Sequence, residues 1–365
     1  MHNRIDKRFL TCMYCPNLCL DRCPVVAATG DSTYSPCAKM SLAGLLQAGQ
    51  VLADRGKALV AYQCTACMAC TEYCEHSIDV ASALLDTRRT LIKKGVISRE
   101  KSIFMEDSQD LLQRLRKGFP VTWFEPGLQG LLIPGSAMLR GPFTKMHAMA
   151  GLLSGLRIQY LEIAEISAEP TGYDLYAAGF DDDFQAMAKA MYARLRRYKI
   201  VVTPSPVVEY TLKFLYTLFD IGSGPRIRSL TEVILPLVLA EKHNRPLNAR
   251  LVFHDCSFAG RYMGRYEQPR EILNHISNMK PLELRRSRQN AMSCGIGGGF
   301  NKMFPDEAEL AALEVVRMAK DTGAEYLVTE SPECYELFTR VVRKCGGIRV
   351  RLLFDLVYQW LKQNR

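Results

Sequence analysis

The chain has 365 residues, 48% hydrophobic and 23% charged, which is ordinary for a folded globular protein and excludes disordered, collagen-like and coiled-coil classes. Its longest apolar stretches, Ile234–Ala240 and Leu131–Pro134, are too short to span a bilayer. The net charge of +9 is spread out, as in Arg194-Leu-Arg-Arg and Arg285-Arg-Ser-Arg, without the aromatic-interleaved basic stripe of a nucleic-acid binder. It reads as solvated surface, with a docking face for an acidic redox partner or an anionic membrane as the alternative.

The first ten residues carry no apolar run of a secretory signal. Thirteen cysteines without such a signal are poor disulfide material, so metal binding is the expected use for most of them and the cytoplasm the expected compartment. Cys12, Cys15, Cys19 and Cys23 form one run, closed by Pro24; Cys64, Cys67, Cys70 and Cys74 form another. A structural zinc site usually joins two Cys pairs across a long segment. Four thiols within eleven residues, as from Cys64 to Cys74, instead suit an iron–sulfur cube.

Two runs are the signature of a two-cluster ferredoxin module, in which the fourth Cys of each run crosses to the other cluster. That rule assigns one [4Fe–4S] cluster to Cys12, Cys15, Cys19 and Cys74, and a second to Cys64, Cys67, Cys70 and Cys23. Two features depart from the usual pattern: three residues separate Cys15 from Cys19, and Glu75 rather than proline follows Cys74. Cys37 reads as a buried thiol, with a reserve ligand as the alternative. Helical periodicity covers the stretch from Met40 to Gly49, Ile78–Lys94 and Ser102–Lys117, the last ending at Gly118 and Pro120.

From about residue 121, short β-rich runs alternate with amphipathic helices, the mark of an α/β fold with a largely parallel sheet. The expected strands are Leu131–Ile133, Arg157–Leu161, Lys199–Thr203, Arg250–His254, Glu325–Thr329 and Ile348–Leu353, and the expected helices Phe184–Arg197, Pro206–Phe219, Pro305–Thr322 and Glu333–Lys344. This part looks duplicated. Val328-Thr-Glu-Ser-Pro-Glu-Cys334 parallels Val202-Thr-Pro-Ser-Pro-Val-Val208, and Leu251-Val-Phe-His-Asp-Cys256 parallels Leu131-Leu-Ile-Pro-Gly-Ser136. Where the second half carries Cys256, Cys294 and Cys334, the first carries serine, alanine or valine.

This layout resembles the iron–sulfur proteins related to the D-type polypeptide of heterodisulfide reductase, whose relatives include the iron–sulfur subunits of anaerobic glycerol-3-phosphate dehydrogenase and glycolate oxidase. The resemblance covers nearly the whole chain, most specifically the Cys runs and His254-Asp-Cys-Ser-Phe-Ala-Gly-Arg-Tyr-Met-Gly-Arg-Tyr266. It implies an α+β multidomain chain. A mainly helical two-[4Fe–4S] ferredoxin-like domain at 1–120 is followed by a duplicated α/β part with mostly parallel strands. The modules of that part are a cysteine-free one at 121–240 and one at 241–365 that carries Cys256, Cys294 and Cys334. A complete cysteine-rich module of this family offers five thiols. Here Ser293 and Ser331 stand at two of those positions, which argues against a non-cubane cluster using all five.

The three remaining thiols hold a third iron–sulfur cluster in one reading, completed by Ser293, Ser331, His254, water or substrate, with Gly297–Gly299 wrapping its sulfides. In the other reading they are buried, inert thiols of a decayed module. Gly295-Ile-Gly-Gly-Gly lacks the strand and acidic residue of a dinucleotide fingerprint, and no P-loop, nucleophile elbow or flavin motif is visible. The expected function is that of an electron-transferring iron–sulfur subunit of a multisubunit oxidoreductase. A partner subunit, either a flavoprotein or a membrane quinone-reactive one, would hold the flavin or other substrate-oxidising centre, and the acceptor would be a quinone or a thiol/disulfide. The alternatives are a catalytic disulfide- or quinone-reducing subunit using Cys256, Cys294 and Cys334, and a scaffold subunit.

Overall fold

Proline and short polar side chains fix where the N-terminal helices begin. In the computed structural model, which describes residues 5–97, 99–119, 127–222, 224–242 and 245–364, these helices span Lys7–Met13, Pro24–Thr29, Pro36–Gln47 and Val80–Lys93. Asp6 accepts from the Arg8 amide, Ser35 from Ala38 and Asp79 from Ser82. Pro24 and Pro36 occupy first turns, where an amide would have no helical acceptor. Phe9, Met40, Ala43, Val80, Ala83 and Leu84 form their shared core, with Cys12, Cys64 and Cys70 packed at its edge. Gly44 lets two of these helices meet, because a Cβ there would lie 2.7 Å from the Cβ of Phe9.

Met1–Met105, Asp174–Phe184 and Arg286–Met318 make one compact unit; Glu106–Tyr173, Gln185–Arg285 and Ala319–Arg365 make another. The second is built on two four-stranded sheets. Strands β1 (Gly130–Leu132), β2 (Leu161–Glu162), β3 (Ile200–Thr203) and β4 (Arg226–Ser229) lie in the order β2-β1-β3-β4. Strands β5 (Leu251–Phe253), β6 (Leu282–Glu283), β7 (Tyr326–Thr329) and β8 (Arg349–Leu352) lie in the order β6-β5-β7-β8. Every pairing is parallel, and the two sheets repeat one topology. One core joins them, including Leu132 and Val202 from the first sheet and Phe253, Val328 and Leu352 from the second. The chain is thus a helical, cysteine-bearing part joined to a duplicated, all-parallel α/β part. Among the described residues no helix is long and apolar enough to cross a membrane.

Five of the six expected strands overlap observed ones at most of their length. The run expected at Arg157–Leu161 instead begins with a turn, Arg157 having φ 58°, and only Leu161–Glu162 pairs with β1. Strands β4 and β6 were not expected. Arg226-Ile-Arg-Ser alternates charge with a single aliphatic residue, and it pairs on one side only, so its burial is too slight to show in composition. The helix expected at Pro206–Phe219 is present from Pro206 to Leu218, with a π-helical turn at Thr211–Leu215. Ser102–Lys117 is split, a 3-10 stretch at Arg99–Phe104 preceding a helix at Ser108–Gly118. The stop at Pro120 and the boundary near 120–121 lie outside the described residues.

Within the duplicated unit, Arg265 ties the two halves together. Its guanidinium donates to Glu209, in the helix after β3, at 2.9 Å and to Glu330, just after β7, at 3.1 Å, and all three are buried. Thr231 also donates to Glu330, at 2.7 Å. Burial pushes the Glu209 carboxyl above the usual range and Arg265 opposes it. Removing the cation would leave two buried carboxylates facing each other. Arg265→Met should therefore cost about 3–5 kcal/mol near neutral pH. The loss should shrink on acidification, because protonation removes the charge that the variant leaves uncompensated. Denaturant unfolding of both proteins at neutral and mildly acidic pH checks this; an equal loss at both would contradict it.

Candidate metal centres

The loop carrying Cys64, Cys67 and Cys70 adopts left-handed backbone at two non-glycine residues, Ala66 (φ 48°) and Met68 (φ 60°). Each such residue costs about 1–2 kcal/mol, a strain that persists where surrounding structure enforces it. The path lets the Ala66 amide donate to the Cys64 sulfur at 3.4 Å. The upstream run turns the same way at Asn17 (φ 63°), between Cys15 and Cys19, where the extra residue is absorbed. Past Cys74 the chain turns again at Ser77 (φ 51°), and the Ile78 amide donates to the Cys74 sulfur at 3.4 Å.

These turns sort the eight thiols into two groups. Cys23, Cys64, Cys67 and Cys70 line one cavity. Cys12 has Cys74, Cys19, Cys37 and Cys15 as electrostatic neighbours; burial and then those thiols push its pKa up to about 12. Burial and then Cys15 push Cys19 up to about 11. Cys70 is driven well above the ordinary thiol range by burial and then by Cys64, Cys67 and Cys23. Thiolates crowded in this way ionise only when a cation joins them. Cys37 donates to the Cys12 carbonyl at 3.1 Å, which commits its proton to the backbone.

A cation of the protein already faces the cavity. Lys39 is 1% exposed, and its ammonium lies 2.7 Å from the Gln63 carbonyl and 3.6 Å from the Cys23 sulfur. Burial works against its charge, yet the thiols of Cys23, Cys64 and Cys70 outweigh that and raise its pKa. Among the described residues no three Cys, His, Asp or Glu side chains converge on a single metal ion. Thiols that take one iron each of a cube need not converge on a point. Four thiols around one cavity, an inward amide and a buried ammonium are a donor set that fits an anionic iron–sulfur cluster.

In the sheet unit the loops after β5 and β7 leave adjacent strands at the reversal of strand order, where open α/β sheets bind ligands. They carry Cys256 and Cys334, both buried. A hydrogen bond from Cys334 pulls the Cys256 thiol below its ordinary value despite burial, helped by the Ala259 and Phe258 amides. Ser331 accepts from the Cys334 amide as the cap of helix Pro332–Cys345 and donates to Glu333 at 2.7 Å. Ser205, at the same step of the first half, caps helix Pro206–Tyr210 and also donates to Glu333. The strand register sets Gly130 level with Leu251, so Gly135, and not Ser136 as the sequence parallel expects, stands at the step of Cys256. It packs with its Cα against Ser205 and Val208, and a Cβ there would lie 3.1 and 3.3 Å from them. The first half's site is closed by that contact. His254 is buried with its ring edge-on to Phe338 at 4.8 Å.

Cys294 is buried in the other unit, where the neighbouring Ser293 hydroxyl accepts from the Gly295 amide at 3.3 Å. The glycine run after it differs from expectation. Gly298 (φ +57°) lies against the Cys64–Ala66 loop, so that a Cβ would come 2.4 Å from the Cys64 carbonyl oxygen. The run therefore braces the ferredoxin-type loop. Arg88, equally unforeseen, donates to the carbonyls of Ala61 (2.9 Å), Cys64 (3.3 Å) and Gly298 (2.7 Å). Nothing in the local sequence of Lys39 or Arg88 marks either as buried.

Comparison with known proteins places these features in context. Residues 8–78 match a 4Fe–4S dicluster domain family and residues 251–339 a cysteine-rich domain family. Over 331 residues, 82% of this chain, it is 27% identical to a Chromohalobacter salexigens protein named "Probable membrane-anchored ferredoxin", of which it covers 48%. Over 296 residues, 74% of the chain, it is 24% identical to the D-type polypeptide of the dihydromethanophenazine:CoB–CoM heterodisulfide reductase of Methanosarcina barkeri, covering 70% of that protein. Over 299 residues, 74% of the chain, it is 22% identical to EtfAB:quinone oxidoreductase of Syntrophomonas wolfei, covering 41%. The chain thus spans less than half the length of two of these three relatives.

Gly298→Ala should force the Cys64–Ala66 loop away from its position. The expected result is loss of iron from one thiol group with the other retained, seen as a fall of roughly half in iron and in charge-transfer absorbance per chain. Full iron content in that variant would show that the contact does not support the loop.

Proposed function

We propose, from the premise that this chain is an iron–sulfur protein of the heterodisulfide reductase D type, that it relays electrons between a flavin-bearing or other redox partner subunit and a quinone or thiol/disulfide acceptor. The observation that carries the reading is the cavity lined by Cys23, Cys64, Cys67 and Cys70, whose thiols come from two separate runs and face the buried Lys39. A cluster bound there supplies one-electron storage. The residues do the rest. Phe9, Met40 and Leu84 exclude water behind the thiols. The Ala66 and Ile78 amides hold negative charge on the sulfurs of Cys64 and Cys74. We keep Cys12, Cys15, Cys19 and Cys74 as the second ligand set, and the segments 1–120, 121–240 and 241–365 as the units of the design.

A second reading has its own observation. Cys256 and Cys334 are hydrogen-bonded at the strand-order reversal, where a third cluster would act on a disulfide or quinone. The closed site at Gly135 supports a docking role for the first half.

Iron and acid-labile sulfide on anaerobically purified protein separate these readings. Two cubes give about eight irons per chain, and Cys70→Ser should lower that to about four. About twelve irons in the wild type would favour the third cluster. Iron well below about eight per chain in the wild type would sink the relay.

A further inference from the structure

Lys39 is left unexplained by ligation alone. It lies on the core-facing side of helix Pro36–Gln47, 1% exposed, and its partners are a carbonyl and a sulfur rather than a carboxylate. A buried ammonium without a carboxylate carries a heavy desolvation penalty unless another anion offsets it. Arg88 is a second buried cation, 3% exposed, with its guanidinium 3.3 Å from the Cys64 carbonyl and 4.8 Å above the Tyr62 ring. It donates to the carbonyls of Ala61, Ala177 and Gly298 as well. Two positive charges therefore flank the Cys23, Cys64, Cys67 and Cys70 group.

Two cations on or packed against the segments that carry the other group are placed differently. Arg8, on the helix that ends beside Cys12, is a third exposed and pairs with Asp6 and Asp86. Arg22 is a quarter exposed, pairs with Asp21 at 3.2 Å and stacks on Tyr73, the residue before Cys74. Carboxylates and solvent cancel much of their charge.

We propose that Lys39, supported by Arg88, makes the Cys23, Cys64, Cys67 and Cys70 group the electron-retaining one of the two. A fixed positive charge in a low-dielectric setting favours the more negative, reduced state of whatever cluster these thiols hold. An electron shared between the groups then rests on the lysine side. One group loses the electron that the other gains, and no bond or proton moves. The inference deepens the relay reading and rests on it, since both groups must hold clusters.

Redox titration of the anaerobically purified full chain, followed by electron paramagnetic resonance, tests it alongside iron content. Cys15→Ser disables the Cys12 group and should leave the higher-potential wave. Lys39→Met should lower that wave by at least tenfold in its equilibrium constant, about 59 mV for one electron, and leave the other wave in place. Lys39→Arg should return it towards wild type. Loss of the higher wave in Cys15→Ser overturns the proposal; so does a Lys39→Met protein, fully loaded with iron, whose waves stay put or move together. If Lys39→Met loads poorly, the Cys15→Ser assignment and the Lys39→Arg potential decide. A wild-type chain holding fewer than two clusters overturns the relay reading and this inference with it, and the iron content tells the two failures apart.

Discussion

One guanidinium holds the ferredoxin-type part together. Arg88 reaches the carbonyls of Ala61, Cys64, Ala177 and Gly298, the last 210 positions from it in sequence, so distant segments meet on a single buried cation. Hydrogen bonds to a charged group contribute about 1.5–3 kcal/mol each when buried, and a carbonyl left without its donor would cost a similar amount. The chain segments Asp174–Phe184 and Arg286–Met318 thereby join the N-terminal compact unit although they lie far away in sequence. Gly298 has to be glycine in the same arrangement. Its carbonyl serves Arg88 while its Cα touches the Cys64 backbone, at a φ that a side chain resists. The strained loop that presents Cys64 and Cys67 is thus held from outside itself.

The duplicated sheets show how one local plan can be kept while its chemistry is removed. Ser205 and Ser331 sit at matching steps, and each caps the helix that follows its strand. A serine cap serves the helix whether or not the neighbouring positions bind metal, so it survives where thiols do not. The same hydroxyls point at Glu333, and Arg265 binds carboxylates from both halves. Polar pairing therefore joins the halves across the core that they share. What differs is the space: Gly135 closes on Ser205 and Val208 in the first half, whereas Cys256 and Cys334 face each other in the second.

Much of this was legible in the sequence because it depends on spacing. Both Cys runs, the helix behind Cys74 and the apolar β-branched strands around Val201, Val252 and Leu327 declare themselves through periodicity. Strand β4 did not, since Arg226-Ile-Arg-Ser takes its pairing from Ile200–Thr203 rather than from its own composition. Lys39 and Arg88 were hidden for a related reason. A lysine or arginine reads as solvent-facing on averages, and only the fold reveals that thiols and carbonyls surround these two. The glycine run at 297–299 neighbours Cys294 in sequence, whereas the packing partner of Gly298 is the Cys64 backbone.

That separation of sequence neighbour from packing partner shows what a thiol site asks of a chain. Ligand spacing is local and can be carried by a dozen residues, but electrostatic compensation and backbone support are not local. Lys39 comes from a helix between the two runs, Arg88 from the helix beyond them, and Gly298 from a loop more than 200 positions away. Burial first, and the repulsion of crowded thiolates after it, raise Cys12, Cys19 and Cys70. A group flanked by fixed cations is relieved of part of that repulsion before any metal arrives; a group flanked by paired arginines is not. Two sets of four thiols with nearly the same spacing are therefore chemically unequal, and the inequality comes from side chains outside the Cys runs.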